Sequence, residues 1–147
     1  MKRISVLLFL CVFIFTSCHH APDITKALEE FVASYGTSGT IYSTKCKEGE
    51  DGYIDDYLAE RLFGLEVEDI EYAVFLNTHL DYASECGAFL VPESRKNDII
   101  ELCQRRISLL DREGKHSFIR IYGNIIFYST MQDRDRAEHF ADLIFKN

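Results

Sequence analysis

Basic residues are scarce in this chain of 147 residues, and they form no cluster. Sixteen lysines and arginines stand against 24 aspartates and glutamates, which leaves a formal charge of −8. An acidic surface repels phosphate groups, and only a local basic patch overcomes that repulsion. The composition therefore argues against nucleic-acid binding. It argues equally against attachment of the folded surface to anionic lipid headgroups.

Proline is also rare, with two residues, whereas 47% of the residues are apolar and 13% are aromatic. Disordered chains are rich in proline and poor in aromatic residues, so this composition predicts a packed globular core. The length suits one ordinary domain and is too short for two.

The sequence lacks the short motifs of common hydrolases, nucleotide-binding folds and metal sites. It contains no G-x-S-x-G, H-E-x-x-H, G-x-x-x-x-G-K-[ST] or G-x-G-x-x-G motif, and no zinc-type Cys/His spacing. The acidic run at residues 48–51 fails as a calcium loop, because Tyr53, Asp56 and Leu62 occupy positions that need a ligand, a glycine and a glutamate. We therefore expect no catalytic, cofactor-binding or metal-binding residues, and a protein that is not an enzyme.

An export signal is present at the start of the chain. Lys2 and Arg3 form a basic segment, and an apolar run follows over residues 4–15. About a dozen apolar residues match the core of a signal peptide and fall short of the roughly 20 that span a bilayer as a helix. Residues 1–17 are therefore predicted to be a cleaved signal peptide. Their removal would take away two basic residues and no acidic one, changing the formal charge from −8 to −10.

The signal ends in Phe15-Thr16-Ser17-Cys18, which resembles the lipobox of bacterial lipoproteins: a bulky apolar residue, two small residues and a cysteine. Leucine is usual where this chain has phenylalanine. The resemblance implies cleavage between Ser17 and Cys18 and attachment of diacylglycerol, and so of palmitate-type chains, to the Cys18 thiol. Two or three acyl chains suffice for stable anchoring. We expect residues 18–22 to be a lipidated tether on the extracytoplasmic face of the cell membrane. The alternatives are an ordinary secretory signal and an uncleaved anchor.

Three cysteines remain once Cys11 leaves with the signal and Cys18 takes up lipid, namely Cys46, Cys86 and Cys103. An odd number allows at most one intramolecular disulfide, either Cys86–Cys103 or Cys46–Cys86, and sequence spacing does not choose between them. We expect three free thiols that behave as small apolar residues.

Hydrophobic periodicity predicts a single α+β domain over residues 23–147. Four segments carry apolar residues at helical spacing, and four carry the alternation or short apolar runs of strands. The predicted helices are residues 23–35, 53–63, 93–111 and a last one that begins at Asp133; the predicted strands are residues 70–77, 86–91, 117–122 and 125–130. The loop over residues 36–52 has room for a short strand at 40–43. Gly123-Asn124 predicts a two-residue type II′ turn between the last two strands.

This order predicts two helices followed by a ββαββα unit. Helices that return to one face of a sheet form a two-layer sandwich, so we expect a four-stranded, mostly antiparallel sheet with its helices on one side. An uncovered sheet face would expose Phe75, Phe89, Tyr122 and Tyr128 as an aromatic partner surface. The alternative is that these four side chains belong to the core.

From Phe63-Gly64-Leu65 onward, the chain resembles the small bacterial lipoproteins known as domain of unknown function 4358. Members of that family have a Tyr-Gly-Ile turn, an acidic stretch and a strand, followed by a second strand, an exposed helix and a hairpin. The corresponding pieces here are Phe63-Gly64-Leu65, residues 86–91, residues 93–110 and Tyr122-Gly123-Asn124-Ile125, within a resemblance that spans residues 23–146. The link at residues 111–115 is shorter than the family's. The resemblance implies an envelope location and no established activity, and it supplies no catalytic residues to carry over.

Two functions of different classes follow from these patterns. The first is a non-catalytic binding or interaction domain held at the membrane, whose partner is an envelope protein, a cell-wall fragment or a small solute. The alternative is a small envelope hydrolase. In that alternative, His79 and Asp81 lie two residues apart near a predicted strand end and orient a base beside Ser84 or Cys86. The simpler interpretation of this segment is a polar hairpin connection.

Overall fold

The computed structural model describes residues 22–77 and 84–146, beginning with an amphipathic helix, α1 (Ile24–Tyr35). The Asp23 carboxylate caps its first turn by accepting a hydrogen bond from the Lys26 amide at 3.2 Å. Gly36 ends it in the left-handed conformation, with φ of 78°, which a glycine adopts without a Cβ clash. The predicted first helix is confirmed. Its sequence offers Asp23 or Thr25 as the N-cap and Gly36 as the end, and the structure uses Asp23 and Gly36.

The remaining elements follow in the order strand, helix, two strands, helix, two strands, helix. They are β1 (Gly39–Ser43), α2 (Asp56–Leu62), β2 (Glu71–Asn77), β3 (Glu85–Leu90), α3 (Lys96–Leu110), β4 (Phe118–Tyr122), β5 (Ile125–Ser129) and α4 (Arg134–Phe145). Short 3₁₀ turns at Gly64–Val67 and Glu93–Arg95 precede β2 and α3. The longest helix, α3, has 15 residues, and no described helix has the length and apolar character to cross a lipid bilayer.

The strands form one open five-stranded sheet in the order β1-β2-β3-β5-β4, and every neighbouring pair is antiparallel. Tyr122 pairs with Ile125, so the β4–β5 turn has two residues. Gly123 has φ of 61° and Asn124 has no positive φ, a pattern that fits type II′ and excludes type I′. The predicted hairpin is confirmed.

Helices cover both faces of the sheet, because successive residues of the central strands point to opposite sides and both sets are buried. On one face, α1 and α4 pack against side chains that include Phe75, Ala88 and Phe127. On the other face, α3 and the chain from Leu62 to Ile70 pack against side chains that include Phe89 and Tyr128. The domain is therefore an α+β fold with three layers.

The structure differs from the sequence-based predictions in strand number, in the order of elements, in layering and at one side chain. The sheet has five strands rather than four, since the short strand after α1 pairs with β2, and the chain begins helix-strand-helix rather than with two helices. The helices lie on both faces rather than on one, so the predicted two-layer sandwich is wrong. Of the two alternatives for the aromatic side chains, an exposed partner surface and the core, the core is confirmed for Phe75, Phe89 and Tyr128, which are fully buried. Finally, the spacing of Ile54, Tyr57, Leu58 and Leu62 predicts that these side chains face inward, but Tyr57 of α2 is 67% exposed.

Candidate functional site

A charged side chain is buried on the α3 face of the sheet, where β3 begins. Glu85 is 4% exposed, and Arg106 of α3 binds its carboxylate with two hydrogen bonds, from Nε to Oε1 at 2.8 Å and from Nη2 to Oε2 at 2.6 Å. The Tyr128 hydroxyl of β5 also donates to Oε1. A bidentate guanidinium and a phenol together offset the cost of removing this carboxylate from water.

Gly87 creates the space that this cluster needs. It lies opposite Tyr128 in the β3–β5 pairing, and a Cβ at Gly87 would stand 2.5 Å from Cε1 of the Tyr128 ring. The ring therefore crosses the glycine and carries its hydroxyl to Glu85, two residues earlier on β3. Burial, and then the neighbouring carboxylate, raise the pKa of Tyr128 well above its ordinary value, so the phenol is a neutral donor.

This buried polar cluster is closed rather than reactive. Two hydrogen bonds fix the backbone of Glu85 to Thr130. The Glu85 amide donates to Thr130 Oγ1 at 3.0 Å, and the Thr130 amide donates to the Glu85 carbonyl at 2.8 Å. Its charged groups face one another rather than solvent. The arrangement holds α3 onto β3 and β5 and offers no free group for catalysis among the described residues.

The residues predicted from sequence fall in different parts of the chain. Ser17 and Cys18, the predicted cleavage and lipid-attachment residues, lie outside the described residues, as do His79 and Asp81. Ser84 immediately precedes β3, and its carbonyl accepts a hydrogen bond from the Asn77 amide at 3.3 Å. The pairing of His79 with Asp81 therefore stays a prediction from the sequence.

The sheet separates two of the three thiols. Cys86 is buried in the core with α1 and α4, whereas Cys103 is buried on the α3 face, so the sheet lies between them. Cys46 is half-buried in the loop after β1, and all three are free. Burial raises the pKa of both Cys86 and Cys103. A buried thiol that resists ionisation is a poor nucleophile, which weighs against Cys86 as a catalytic residue.

An open cleft of about 380 Å³ lies on the α3 face, where β1 ends and β2 begins. Its walls come from the loop after β1, from α2, and from the 3₁₀ turn that follows α2. The side chains and backbone that line it belong to Thr44, Cys46, Tyr53, Ile54, Asp56, Ala59, Glu60, Gly64, Val67, Glu68 and Tyr72. The volume falls within the range of small-molecule sites, about 300–1,000 Å³.

Local hydrogen bonds position both ends of this cleft. The Ser43 amide donates to the Gly52 carbonyl at 2.9 Å, and Tyr53 forms a parallel bridge with Ser43, so the loop folds back along β1. Thr44 Oγ1 accepts from the Tyr72 amide at 3.1 Å and donates to the Tyr72 carbonyl at 3.2 Å. These bonds place Tyr53 on the wall and Tyr72 on the floor of the cleft.

The α2 wall of the cleft depends on a helix cap. The Asp55 carboxylate accepts a hydrogen bond from the Leu58 amide at 2.7 Å and so starts α2. This start places Asp56 and Glu60 one helical turn apart, where both line the cleft. Sequence patterns did not predict this site. The signal for it in the sequence is the density of acidic and tyrosine residues over 50–60.

The floor of the cleft is a tyrosine held between aromatic rings. Tyr72 is 2% exposed, stacks on Phe89 with ring centroids 5.5 Å apart, and meets the edge of Phe63 at 5.4 Å. Burial raises the pKa of Tyr72 to about 12, so the hydroxyl stays protonated at neutral pH. The cleft therefore has a fixed, neutral floor and an acidic rim formed by Asp56, Glu60 and Glu68.

A second, wider groove of about 670 Å³ lies at the β4–β5 turn and the end of α4. Two of its three charged side chains are already paired: Asp142 accepts a hydrogen bond from the Tyr122 hydroxyl at 2.7 Å, and Arg120 donates to Glu138 at 2.7 Å, while Lys146 is the third. Groups that already satisfy one another offer a ligand less than the rim of the first cleft does. We therefore take the cleft over Tyr72 as the candidate functional site.

Comparison of the chain with protein-family models, with curated proteins and with solved structures finds no match. The resemblance to domain of unknown function 4358 stays a prediction from the sequence.

Proposed function

We propose that this protein is a lipid-anchored lipoprotein on the extracytoplasmic face of the cell membrane, and that its domain binds a ligand or partner rather than catalysing a reaction. The binding role is supported by the open cleft over Tyr72, which is the one observation that carries it. The anchor is supported by the apolar run at residues 4–15 and by Cys18 at the end of the lipobox-like segment.

The position of the cleft is compatible with a short tether. Asp23, at the start of α1, forms an ion pair with Lys45 at 3.4 Å, and Lys45 lies between the cleft residues Thr44 and Cys46. Five peptide steps separate Cys18 from Asp23, and five extended residues reach at most about 18 Å. A lipid on Cys18 would therefore hold the cleft close to the membrane surface, where it meets solutes and partners at that surface.

Metabolic labelling with a palmitate analogue tests the anchor. We expect label on the wild type, no label on Cys18→Ala, and release of that variant from the membrane fraction. Cys46→Ala is the matched control and should keep the label, because Cys46 lies within the folded domain. Equal labelling of the wild type and Cys18→Ala would refute the anchor.

A further inference from the structure

We propose that the cleft over Tyr72 binds a small organic cation, an amine or guanidinium compound with a short aliphatic stem. The proposal rests on the binding role argued above and specifies its ligand. The first argument is charge. Asp56, Glu60 and Glu68 line the cleft, and none of its lining residues is a lysine or arginine.

Two nearby cations, Lys45 and Arg61, are engaged elsewhere. Lys45 Nζ lies 3.1 Å from Glu71 Oε1 and 3.4 Å from Asp23 Oδ1, which places its charge at the start of α1. The Arg61 guanidinium lies over the ring of Tyr57, 5.6 Å from its centroid. Within the described residues, the three rim carboxylates form no ion pair. Their negative charge is therefore left for a ligand.

The floor supplies a second, independent argument. Tyr72 is almost completely buried and yet lines the cleft. The hydrogen bonds that it makes to Thr44 are made by its backbone, and its hydroxyl has no partner within the described part of the chain. A neutral phenol oxygen accepts a hydrogen bond from an ammonium or guanidinium group. The ring of Tyr53 on the wall is 37% exposed and offers a cation–π contact.

The shape and the lining favour an organic cation over a metal ion. Within residues 22–77 and 84–146, no three histidine, cysteine, aspartate or glutamate side chains are grouped as metal ligands. The rim carboxylates are exposed and come from α2 and from the chain just after the 3₁₀ turn, while Ile54, Ala59 and Val67 add apolar surface to the lining. An aliphatic stem would contact this apolar surface while its charged end met the carboxylates and the tyrosines.

Nuclear magnetic resonance on the purified full chain, in neutral detergent and with ¹³C-labelled tyrosine rings, tests the proposal. The probes are putrescine and agmatine, with 1,4-butanediol as the uncharged analogue of putrescine. We expect saturable shifts of the Tyr53 and Tyr72 ring signals with both amines, and none with the diol. Tyr35, on the opposite face of the sheet, should not respond.

Charge removal then tests the rim. The variant Asp56→Asn/Glu60→Gln/Glu68→Gln should bind putrescine about tenfold more weakly, because exposed carboxylates each contribute modestly and their effects sum. The control variant Glu29→Gln/Glu30→Gln/Asp135→Asn removes the same charge from exposed positions on α1 and α4 and should bind as the wild type does.

Tyr72→Phe tests the floor of the cleft. As a single conservative substitution, it also gives a result if the triple variant does not fold. It keeps the ring stacking, removes only the hydroxyl, and should weaken putrescine binding several-fold. No saturable shift with either amine would overturn the proposal, as would equal weakening in the rim and control triple variants or tighter binding of Ca²⁺ than of putrescine. Equal binding of the diol would overturn the proposal that the ligand is a cation, while the cleft would remain a ligand site. The palmitate labelling of Cys18 tests the anchor independently of all these results.

Discussion

Replacing Arg106 by methionine should destabilise the domain strongly, because it leaves the Glu85 carboxylate buried without its main partner. The two side chains are 16% and 5% exposed, and two hydrogen bonds of 2.8 and 2.6 Å join them. Removing one member of a buried ion pair costs about 3–5 kcal/mol. Tyr128 still donates to Glu85 in the variant, so we expect the lower end, about 3 kcal/mol, which corresponds to a fall in Tm of roughly 10 °C for a domain of this size.

Urea unfolding followed by far-ultraviolet circular dichroism measures this loss, since the chain has no tryptophan to report it by fluorescence. The neighbouring Arg105 is half exposed and forms a loose ion pair with Glu101 at 3.9 Å, so Arg105→Met is the matched control, with a loss below about 0.5 kcal/mol. The double variant Glu85→Gln/Arg106→Met should lose less than Arg106→Met alone, because no unpaired charge stays buried. If Arg106→Met and Arg105→Met are equally stable, the buried pair does not hold α3 to the sheet.

Two further outcomes follow from the packing of the sheet. Gly87→Ala should lose about 1–3 kcal/mol in the same urea assay, since the new methyl group would overlap the buried Tyr128 ring, and an unchanged midpoint would show that the ring moves freely. Iodoacetamide should modify Cys46 in the native protein, as mapped by mass spectrometry, while Cys86 and Cys103 react only after unfolding because burial keeps their thiols protonated. Rapid modification of either buried thiol in the native state would contradict this description of the two cores.

Local patterns were sufficient to predict most individual elements. The caps at Asp23 and Gly36, the turn at Gly123-Asn124 and the cap at Asp133 all act through residues within a few positions of one another. Such signals survive in the sequence because their energy depends on neighbours along the chain. Where a prediction of this kind failed, as at Tyr57, a short helix had too few turns for its apolar side to be assigned.

The layers were predicted wrongly although their signal was present. In β2, Tyr72 and Val74 point to one face while Ala73 and Phe75 point to the other, and all four are apolar and buried. The predicted sheet with helices on one side requires only one of these faces to be buried. A strand that is apolar at consecutive positions is typical of a sheet that is covered on both faces.

The candidate site could not be predicted, because its parts come from distant segments. Thr44 and Tyr72 are 28 positions apart and meet only because β1 pairs with β2. The buried partners Glu85 and Arg106 are 21 positions apart and meet only because α3 folds onto the sheet. Neither pairing corresponds to a motif of fixed spacing, so the sequence alone does not predict either of them.

By itself, the sequence determined the α+β class, the ends of most elements and the acidic character of the protein, and it predicts the lipid attachment at Cys18. Those properties depend on composition, on short-range periodicity and on capping, which operate between near neighbours. Only the tertiary structure decided the fifth strand, the second helical layer, the separation of Cys86 from Cys103 and the cleft over Tyr72. The physical reason is that burial and strand pairing are properties of residues brought together from distant positions, and their free energy is realised only in the packed state.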